Sequence, residues 1–277
     1  MRPGTPRLSG DGLTLAYDKR TIAERLTVAV PDRSFTVVIG PNACGKSTLL
    51  RALARMLRPT AGTVLLDGRD IHAQPARRVA RTLGLLPQTS IAPDGITVAE
   101  LVARGRYPHQ GLLRQWSRDD ERIVGGSMAA TGVADLADRL VDELSGGQRQ
   151  RVWIAMALAQ QTELLLLDEP TTFLDIAHQI EVLDLCATLH EEQGRTLVAV
   201  LHDLNQAARY ASHLIAMRDG QVVAAGPPRE IVTADLVERV FGLPCRVIDD
   251  PETGSPLVVP AARRVPAASA SPPIIGA

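Results

Sequence analysis

Hydrophobic and polar positions alternate differently in the two halves of the chain. Residues 13–17, 26–30 and 63–68 are short segments bounded by turn residues, and we expect them to pair as an antiparallel sheet. Residues 164–167 are four consecutive leucines, typical of a strand buried on both faces of a parallel sheet. We expect further strands at 35–39, 82–88, 196–201 and, as a pair, within 214–223. Helical segments at 49–57, 148–161, 176–193 and after Asp203 complete a βαβ series, so the pattern indicates an α/β fold with a mostly parallel sheet.

A change to helical periodicity marks an insertion in this series. It opens with a capping box between Thr97 and Glu100, and we predict an inserted helical subdomain over about residues 90–158. We expect the helices there to break at Gly105, Pro108, Gly111, Gly125, Gly126 and Gly132. Residues 1–11 are expected to be flexible, residues 12–260 to form one domain, and the Ala/Pro/Ser-rich residues 261–277 to be a disordered tail.

Composition narrows the class of protein. A chain of 277 residues with 45% hydrophobic residues has enough apolar material for one large α/β domain. Its 30 basic and 31 acidic residues leave no basic field, so we expect no nucleic-acid partner. The three cysteines are far apart, which excludes a disulfide framework or zinc knuckle and suits a reducing cytosol. Without a membrane-spanning apolar run or a signal peptide, we expect a soluble protein that reaches a membrane only through a partner.

A phosphate-binding loop follows the strand at 35–39. It matches G-x-x-x-x-G-K-[ST], in which backbone N–H groups and a helix N-terminus bind phosphate oxygens. Its residues are Gly40, Pro41, Asn42, Ala43, Cys44, Gly45, Lys46, Ser47 and Thr48. Lys46 adds positive charge, the Ser47 hydroxyl suits Mg²⁺, and Thr48 suits a more distal phosphate.

Polar residues at the carboxyl ends of neighbouring strands extend this site. Such ends form the ligand crevice of α/β sheets, and Gln88, Asp168 and His202 all occupy them. Asp168 can hold Mg²⁺ opposite Ser47, and Glu169 can polarise an attacking water. The alternative is that the Asp-Glu-Pro sequence only terminates a buried strand.

A second anion site is indicated by Ser145, Gly146, Gly147 and Gln148, which lead into a helix. Two phosphate-binding helix ends in one chain make sense if two copies pair by two-fold symmetry and each lends this loop to the other. The alternative is a capped, glycine-linked loop.

LSGGQ before a helix, the phosphate loop upstream and LLLLDEP downstream resemble the nucleotide-binding subunits of ATP-binding-cassette (ABC) transporters. The resemblance spans residues 12–260 and implies a P-loop NTPase (RecA-like) core that binds ATP and Mg²⁺ and hydrolyses ATP. It implies adenine stacking for Tyr17, contact with Mg²⁺ or water and with the membrane subunit for Gln88, metal binding for Asp168, the general base for Glu169, the dimer interface for Asp175 and the γ-phosphate contact for His202. Each of these residues has an alternative interpretation when it is considered alone. Tyr17 would be a half-buried strand residue, Gln88 a solvated loop residue and His202 a helix-capping or core residue.

The segment RGRYPH at residues 104–109 resembles importer ATPases for ferric siderophores, haem and cobalamin, although the basic cluster could instead be a solvated helix end. We expect a ferric siderophore as cargo, with haem or cobalamin as the alternative. The resemblance implies a head-to-tail pair of copies at the cytoplasmic face of the membrane, bound to permease subunits and indirectly to a substrate-binding protein. A soluble non-transport cassette protein is a rival, and so is a P-loop kinase, in which LSGGQ has no place.

Two residues depart from the usual phosphate loop. Ala43 stands where the family usually has glycine, so a positive φ there would cost about 1–2 kcal/mol. Cys44 lies near a helix N-terminus, and we expect a lowered thiol pKa and alkylation that blocks ATP binding.

Overall fold

A six-stranded sheet forms the centre of the protein in this computed structural model, which describes residues 6–18, 20–88, 91–111 and 116–262. Its strands lie in the order β10-β9-β3-β8-β7-β6, and all neighbouring pairs are parallel except β10 with β9. The strands are β3 (Phe35–Ile39), β6 (Leu83–Leu86), β7 (Leu164–Asp168), β8 (Thr196–Val200), β9 (His213–Arg218) and β10 (Gln221–Gly226). Every residue of β3, β7 and β8 is buried, as expected for strands covered on both faces.

An antiparallel sheet in the order β2-β1-β4-β5 lies beside this core. Its strands are β1 (Leu8–Tyr17), β2 (Arg20–Val30), β4 (Ala61–Leu66) and β5 (Arg69–Asp70). The strand β1 starts at Leu8, so the expectation that order begins near residue 12 is wrong. Leu8 is fully buried and pairs with Val30 of β2 and Leu66 of β4, partners that lie far away in the sequence.

Helices cover both faces of the central sheet. They are α1 (Lys46–Leu53), α2 (Ala76–Thr82), α3 (Val98–Ala103), α4 (Arg118–Ala130), α5 (Gly146–Ala159), α6 (Ile176–Glu191), α7 (Leu204–Tyr210), α8 (Pro228–Ile231) and α9 (Ala234–Phe241). Val38 of β3 packs with α1 and the antiparallel sheet, while Phe35, Val37 and Ile39 pack with α5, α6 and α7 on the other face. The alternation along β3 therefore joins two apolar cores through one strand.

The helical insertion lies between β6 and β7. The capping box of Thr97 and Glu100 is present at the start of α3. The expected break at Gly125 and Gly126 is wrong, since both lie inside α4, which Ser117 and Asp120 cap at its N-terminus. Short 3-10 helices at Arg104–His109, Ala134–Leu136 and Val141–Glu143 complete this region.

The C-terminal part adds a two-stranded sheet of β11 (Cys245–Asp249) and β12 (Pro256–Pro260). The Asn205 side chain on α7 donates to the Val258 carbonyl at 3.2 Å and accepts from the Val258 N–H at 2.7 Å. The predicted tail at 261–277 lies, from residue 263 onward, outside the described residues, as do residues 1–5 of the predicted N-terminal segment. Within the described ranges, no helix is both long enough and apolar enough to cross a membrane.

Candidate active site

The phosphate loop connects β3 to α1, and its last three residues form the first turn of this helix. Gly45, with φ of 104°, is the N-cap of α1. Gly40 must be glycine, because a Cβ there would lie 2.2 Å from the Met217 carbonyl oxygen. Lys46 is 5% exposed, and its ammonium donates to the carbonyls of Gly40 and Pro41 at 2.9 Å each. These bonds hold the ammonium across the loop and leave one of its three protons for a further acceptor.

Ala43 has φ of 61°, so the positive φ that would carry this cost is present. Left-handed backbone places Cβ close to the following carbonyl, which is the origin of the cost to alanine. The residue lines the cleft beside the loop.

Cys44 does not match its expected reactivity. The side chain is 5% exposed and packs in the core formed by α1 and the antiparallel sheet. Burial raises the pKa of the Cys44 thiol and outweighs the opposing charge of Lys46. The expectation of a lowered thiol pKa is therefore wrong.

Asp168, the last residue of β7, accepts a 2.8 Å hydrogen bond from the Ser47 hydroxyl. The carboxyl belongs to a residue only 2% exposed, and burial raises its pKa against the lowering effect of the Ser47 bond. Two oxygens, one from each side of the crevice, thus lie together at the base of the phosphate loop, and oxygen is the ligand type that Mg²⁺ prefers.

The Glu169 side chain connects residues that follow the ends of three neighbouring strands. Gln88 follows β6, Glu169 follows β7 and His202 follows β8. One carboxylate oxygen lies 2.8 Å from His202 Nε2, and the other accepts from Gln88 Nε2 at 2.8 Å and from the Thr172 hydroxyl at 3.2 Å. Its backbone is left-handed, with φ of 55°. The structure therefore brings Gln88, Glu169 and His202 together, as the sequence predicts for strand ends of one sheet edge.

These residues and the phosphate loop line one cleft of about 510 Å³. Arg20 and Ile22 of β2 also line it, and the sequence reasoning missed both. The sequence signal for Arg20 was its position shortly after Tyr17, of which it is the cross-strand partner. Tyr17 ends β1, is 40% exposed and accepts a 3.3 Å hydrogen bond from Arg51 of α1.

Four predicted residues, Ser145, Gly146, Gly147 and Gln148, lie apart from the residues that line this cleft. Ser145 is the N-cap of α5, and its hydroxyl accepts from the Gln148 N–H at 3.2 Å while the Gln148 side chain accepts from the Ser145 N–H at 3.1 Å. The capped loop of the alternative reading is thus present. Ser145 and Gly146 are exposed, so this helix end is open to contact from outside the chain.

Asp175 also lies away from the cleft, as the N-cap of α6. Its carboxylate accepts from the His178 N–H at 3.0 Å, which lowers the pKa of Asp175. Two large apolar neighbours, Phe173 and Ile176, are 81% and 78% exposed. This apolar exposure around a charged residue is typical of a surface that another protein covers.

Side chains from two helices hold the loop at residues 169–175, and the sequence reasoning missed them. Gln179 of α6 donates to the carbonyls of Leu174 at 3.0 Å and Thr171 at 3.4 Å. Gln206 of α7 donates to the Gln179 side-chain oxygen at 2.9 Å. Gln206 lies far from the loop in sequence, and Gln179, five residues after Leu174, belongs to no motif, so neither residue gave a local signal.

Arg106 in the segment 104–109 is buried, so the alternative of a solvated helix end is wrong for this residue. Its guanidinium donates to Asp120 at 2.8 Å, to the Ala159 carbonyl at 2.8 Å and to Gln161 at 3.3 Å. Burial opposes ionisation of Asp120, but Arg106 and the Ser117 donors outweigh it and hold the pKa of Asp120 below its ordinary value. The segment is therefore an internal link between α4 and the end of α5.

Comparison with known proteins identifies the family. The family model described as "ABC transporter" matches residues 23–172. The chain is 59% identical to the ferric enterobactin transport ATP-binding protein FepC of Escherichia coli (strain K12) over 98% of this chain and 100% of that protein. It is 52% identical to the probable siderophore transport system ATP-binding protein YusV of Bacillus subtilis (strain 168) over 94% of each chain. The dimeric structure of MJ0796, a bacterial ABC transporter cassette, superposes with a TM-score of 0.72 at 25% identity over 79% of this chain and 98% of that one. The predicted family and fold class are confirmed.

Proposed function

This chain belongs to the ABC transporter family, and we propose that it is the ATP-hydrolysing subunit of an importer for a ferric siderophore. The observation that carries the catalytic part is the Glu169 carboxylate, held by three side chains at the edge of the phosphate-loop cleft. The cargo is inferred from the two relatives, one a transporter subunit for ferric enterobactin and one for a siderophore. These relatives favour a ferric siderophore over haem or cobalamin.

ATP binds along the cleft in this proposal. The phosphates lie against the backbone N–H groups of residues 40–48, and the free proton of the Lys46 ammonium reaches a phosphate oxygen. Tyr17 stacks on adenine, and the Arg51 hydrogen bond supports its ring position. Thr48, 9% exposed at the start of α1, faces a distal phosphate.

The site suits Mg²⁺ shared with the nucleotide. Mg²⁺ usually takes one or two protein oxygens and completes its shell with phosphate oxygens and water. Ser47 and Asp168 supply such oxygens, with Gln88 at the rim, and the described residues contain no cluster of three acidic, His or Cys side chains that would hold a metal alone. When bound, the ion would neutralise charge on the transferred phosphoryl group.

Glu169 is the general base. It accepts a proton from the attacking water, while His202 and Lys46 balance the charge that develops on the γ-phosphoryl group. Hydrogen bonds from Gln88 and Thr172 keep the carboxylate turned toward the cleft, so the base is preorganised for its reaction.

A second copy completes the site. The capping box engages the N–H groups of Ser145 and Gln148, and in a head-to-tail pair the N–H groups of Gly146 and Gly147 between them would meet the γ-phosphate held by the partner copy. The exposed Phe173 and Ile176 beside Asp175 fit burial in the same pairing. The dimeric relative MJ0796 supports this arrangement.

Permease subunits are the proposed route to the membrane, with the chain at the cytoplasmic face. Gln88 ties the segment after β6 to Glu169, so a permease that contacts this segment and the helical insertion would sense the state of the base. A substrate-binding protein would act indirectly, through the permease.

The test of the catalytic assignment is Glu169→Gln, compared with Glu191→Gln at an exposed position of α6. We expect Glu169→Gln to bind ATP with wild-type affinity, to lose hydrolysis and to accumulate as a dimer with ATP in size-exclusion chromatography. The control should behave as wild type. Rapid hydrolysis by Glu169→Gln would remove Glu169 from the role of base.

The cargo is tested by ATP-dependent uptake in vesicles that contain the chain and its permease. Ferric siderophores, haem and cobalamin are compared under one set of conditions. Uptake of haem or cobalamin but not of any ferric siderophore would overturn the cargo and leave the ATPase assignment standing.

A further inference from the structure

We propose that a cavity between α4, the end of α5 and the turn after α6 binds a small oxyanion of the phosphate type. The cavity has a volume of about 270 Å³, enough for several water molecules or a phosphate group. Its charged lining residues are Arg122 and Arg195, and no described carboxylate lines it. Two cations in a lining without a carboxylate create a positive potential in a partly enclosed space.

Arg195 is the stronger of the two observations. Its Nη1 atom is buried and has no hydrogen-bond partner, and within the described residues its guanidinium takes part in no ion pair. Burial lowers the pKa of Arg195, and no neighbouring carboxylate opposes that effect. Burial of the Nη1 donor without an acceptor is costly, and a turn of the half-buried Arg195 side chain into the adjacent cavity would bring this donor to an acceptor bound there.

Arg122 approaches the cavity from α4. Among the described residues it forms one ion pair, with Asp119, in which the two charged groups are 3.5 Å apart and both side chains are 74% exposed. Such a surface pair contributes little free energy and leaves the guanidinium free to turn inward. Ser127 and Gln193 also line the cavity, and their side chains can donate neutral hydrogen bonds to an oxyanion.

This site is distinct from the nucleotide cleft. Arg195 directly precedes β8 and His202 follows its end, and a strand of this length spans roughly 16 Å. Arg122 belongs to the helical insertion and Arg195 to the central core. A bound oxyanion would therefore link the two parts by attracting one arginine from each.

The experiment is isothermal titration calorimetry of the full chain with inorganic phosphate, at constant ionic strength and with the nucleotide cleft saturated with Mg·ADP. We expect binding that sulfate displaces and chloride does not. Arg195→Met should weaken it by at least about tenfold and Arg122→Met by about threefold or more, since each removes a charge-assisted hydrogen bond. Arg118→Met, exposed on the first turn of the same helix, is the charge control and should bind as wild type.

Absence of phosphate binding, or wild-type affinity in Arg195→Met, would overturn the proposal and indicate that water alone fills the cavity. Thermal unfolding gives an independent measure. Phosphate should raise the Tm of the wild type but not that of Arg195→Met. If that variant does not fold, Arg122→Met decides, and wild-type affinity there would overturn the proposal. None of these outcomes depends on whether the chain hydrolyses ATP.

Discussion

Replacement of Arg106 by methionine should destabilise the protein by about 3–5 kcal/mol, which is the usual cost of breaking a buried ion pair. The Arg106 and Asp120 side chains are 5% and 3% exposed, so the remaining carboxylate could not recover its hydration. It would keep only the Ser117 donors, and the Ala159 carbonyl would lose its partner. Because domains are stable by about 5–15 kcal/mol, this loss is a large fraction of the total.

Urea unfolding followed by circular dichroism measures this cost in wild type, Arg106→Met, Asp120→Asn and the double variant. Asparagine keeps an acceptor for Ser117 without the charge, so the double variant should recover at least half of the loss. Arg104→Met is the control for the loss of a neighbouring charge. A single variant within about 1 kcal/mol of wild type, or a double variant as unstable as the single, would refute the reasoning.

The pH dependence of the unfolding free energy in the same variants checks the direction of the pKa shift of Asp120. Asp120 has a folded-state pKa below its ordinary value of 3.8, so its contribution is complete above that pH. It is lost as the pH falls through the lower, folded-state value. The difference in unfolding free energy between wild type and Arg106→Met should therefore be larger at neutral pH than below about pH 4.

Four further predictions concern the site. Ala43→Gly should raise the free energy of unfolding by about 1 kcal/mol by relieving its left-handed backbone, with only a modest change in ATP affinity by calorimetry; loss of ATP binding would contradict this. Asp168→Asn should raise the Tm of the nucleotide-free protein while abolishing ATP turnover, because the raised pKa of Asp168 means that its ionised form opposes folding increasingly as pH rises above 3.8. Thiol labelling followed by mass spectrometry should modify the partly exposed Cys245 first and leave the buried Cys44 unmodified with or without ATP; fast labelling of Cys44 that ATP slows would restore the rejected expectation. Gln179→Leu should lower kcat by about tenfold or more with little change in KM for ATP, since it frees the loop at 169–175 but touches no nucleotide contact, and equal effects on both constants would argue for general damage.

The parts of the fold that the sequence predicts are those with local signals. Strands β3, β7 and β8 are mostly apolar segments, and the predicted bounds of each lie within one residue of its observed ends. The phosphate loop has a motif whose spacing follows from phosphate geometry. Because parallel strands end at one edge, the meeting of Gln88, Glu169 and His202 also follows from the pattern.

The errors arise where distant packing overrides local preference. Gly125 and Gly126 weaken a helix by about 1 kcal/mol each, but α4 has a capping box and packs Val124 and Met128 into the core. The nearness of Cys44 to a helix N-terminus predicts a lowered thiol pKa, but its side chain packs in the core, where burial has the larger effect.

The loop at 169–175 has a local sequence motif, but its conformation depends on packing against other elements. Its motif residues were predicted, but its conformation was not: Glu169 and Phe173 are left-handed, at φ of 55° and 67°, although neither is glycine. Such backbone costs free energy and persists only where the surroundings fix it. Here the fixing bonds come from Gln150 of α5, which donates to the Pro170 carbonyl at 3.1 Å, and from Gln179 of α6. One short loop, held at both ends, thus carries the proposed base Glu169 near its start and the N-cap of α6 at its end. Displacement of the exposed Phe173 would therefore move the Glu169 carboxylate unless these bonds break.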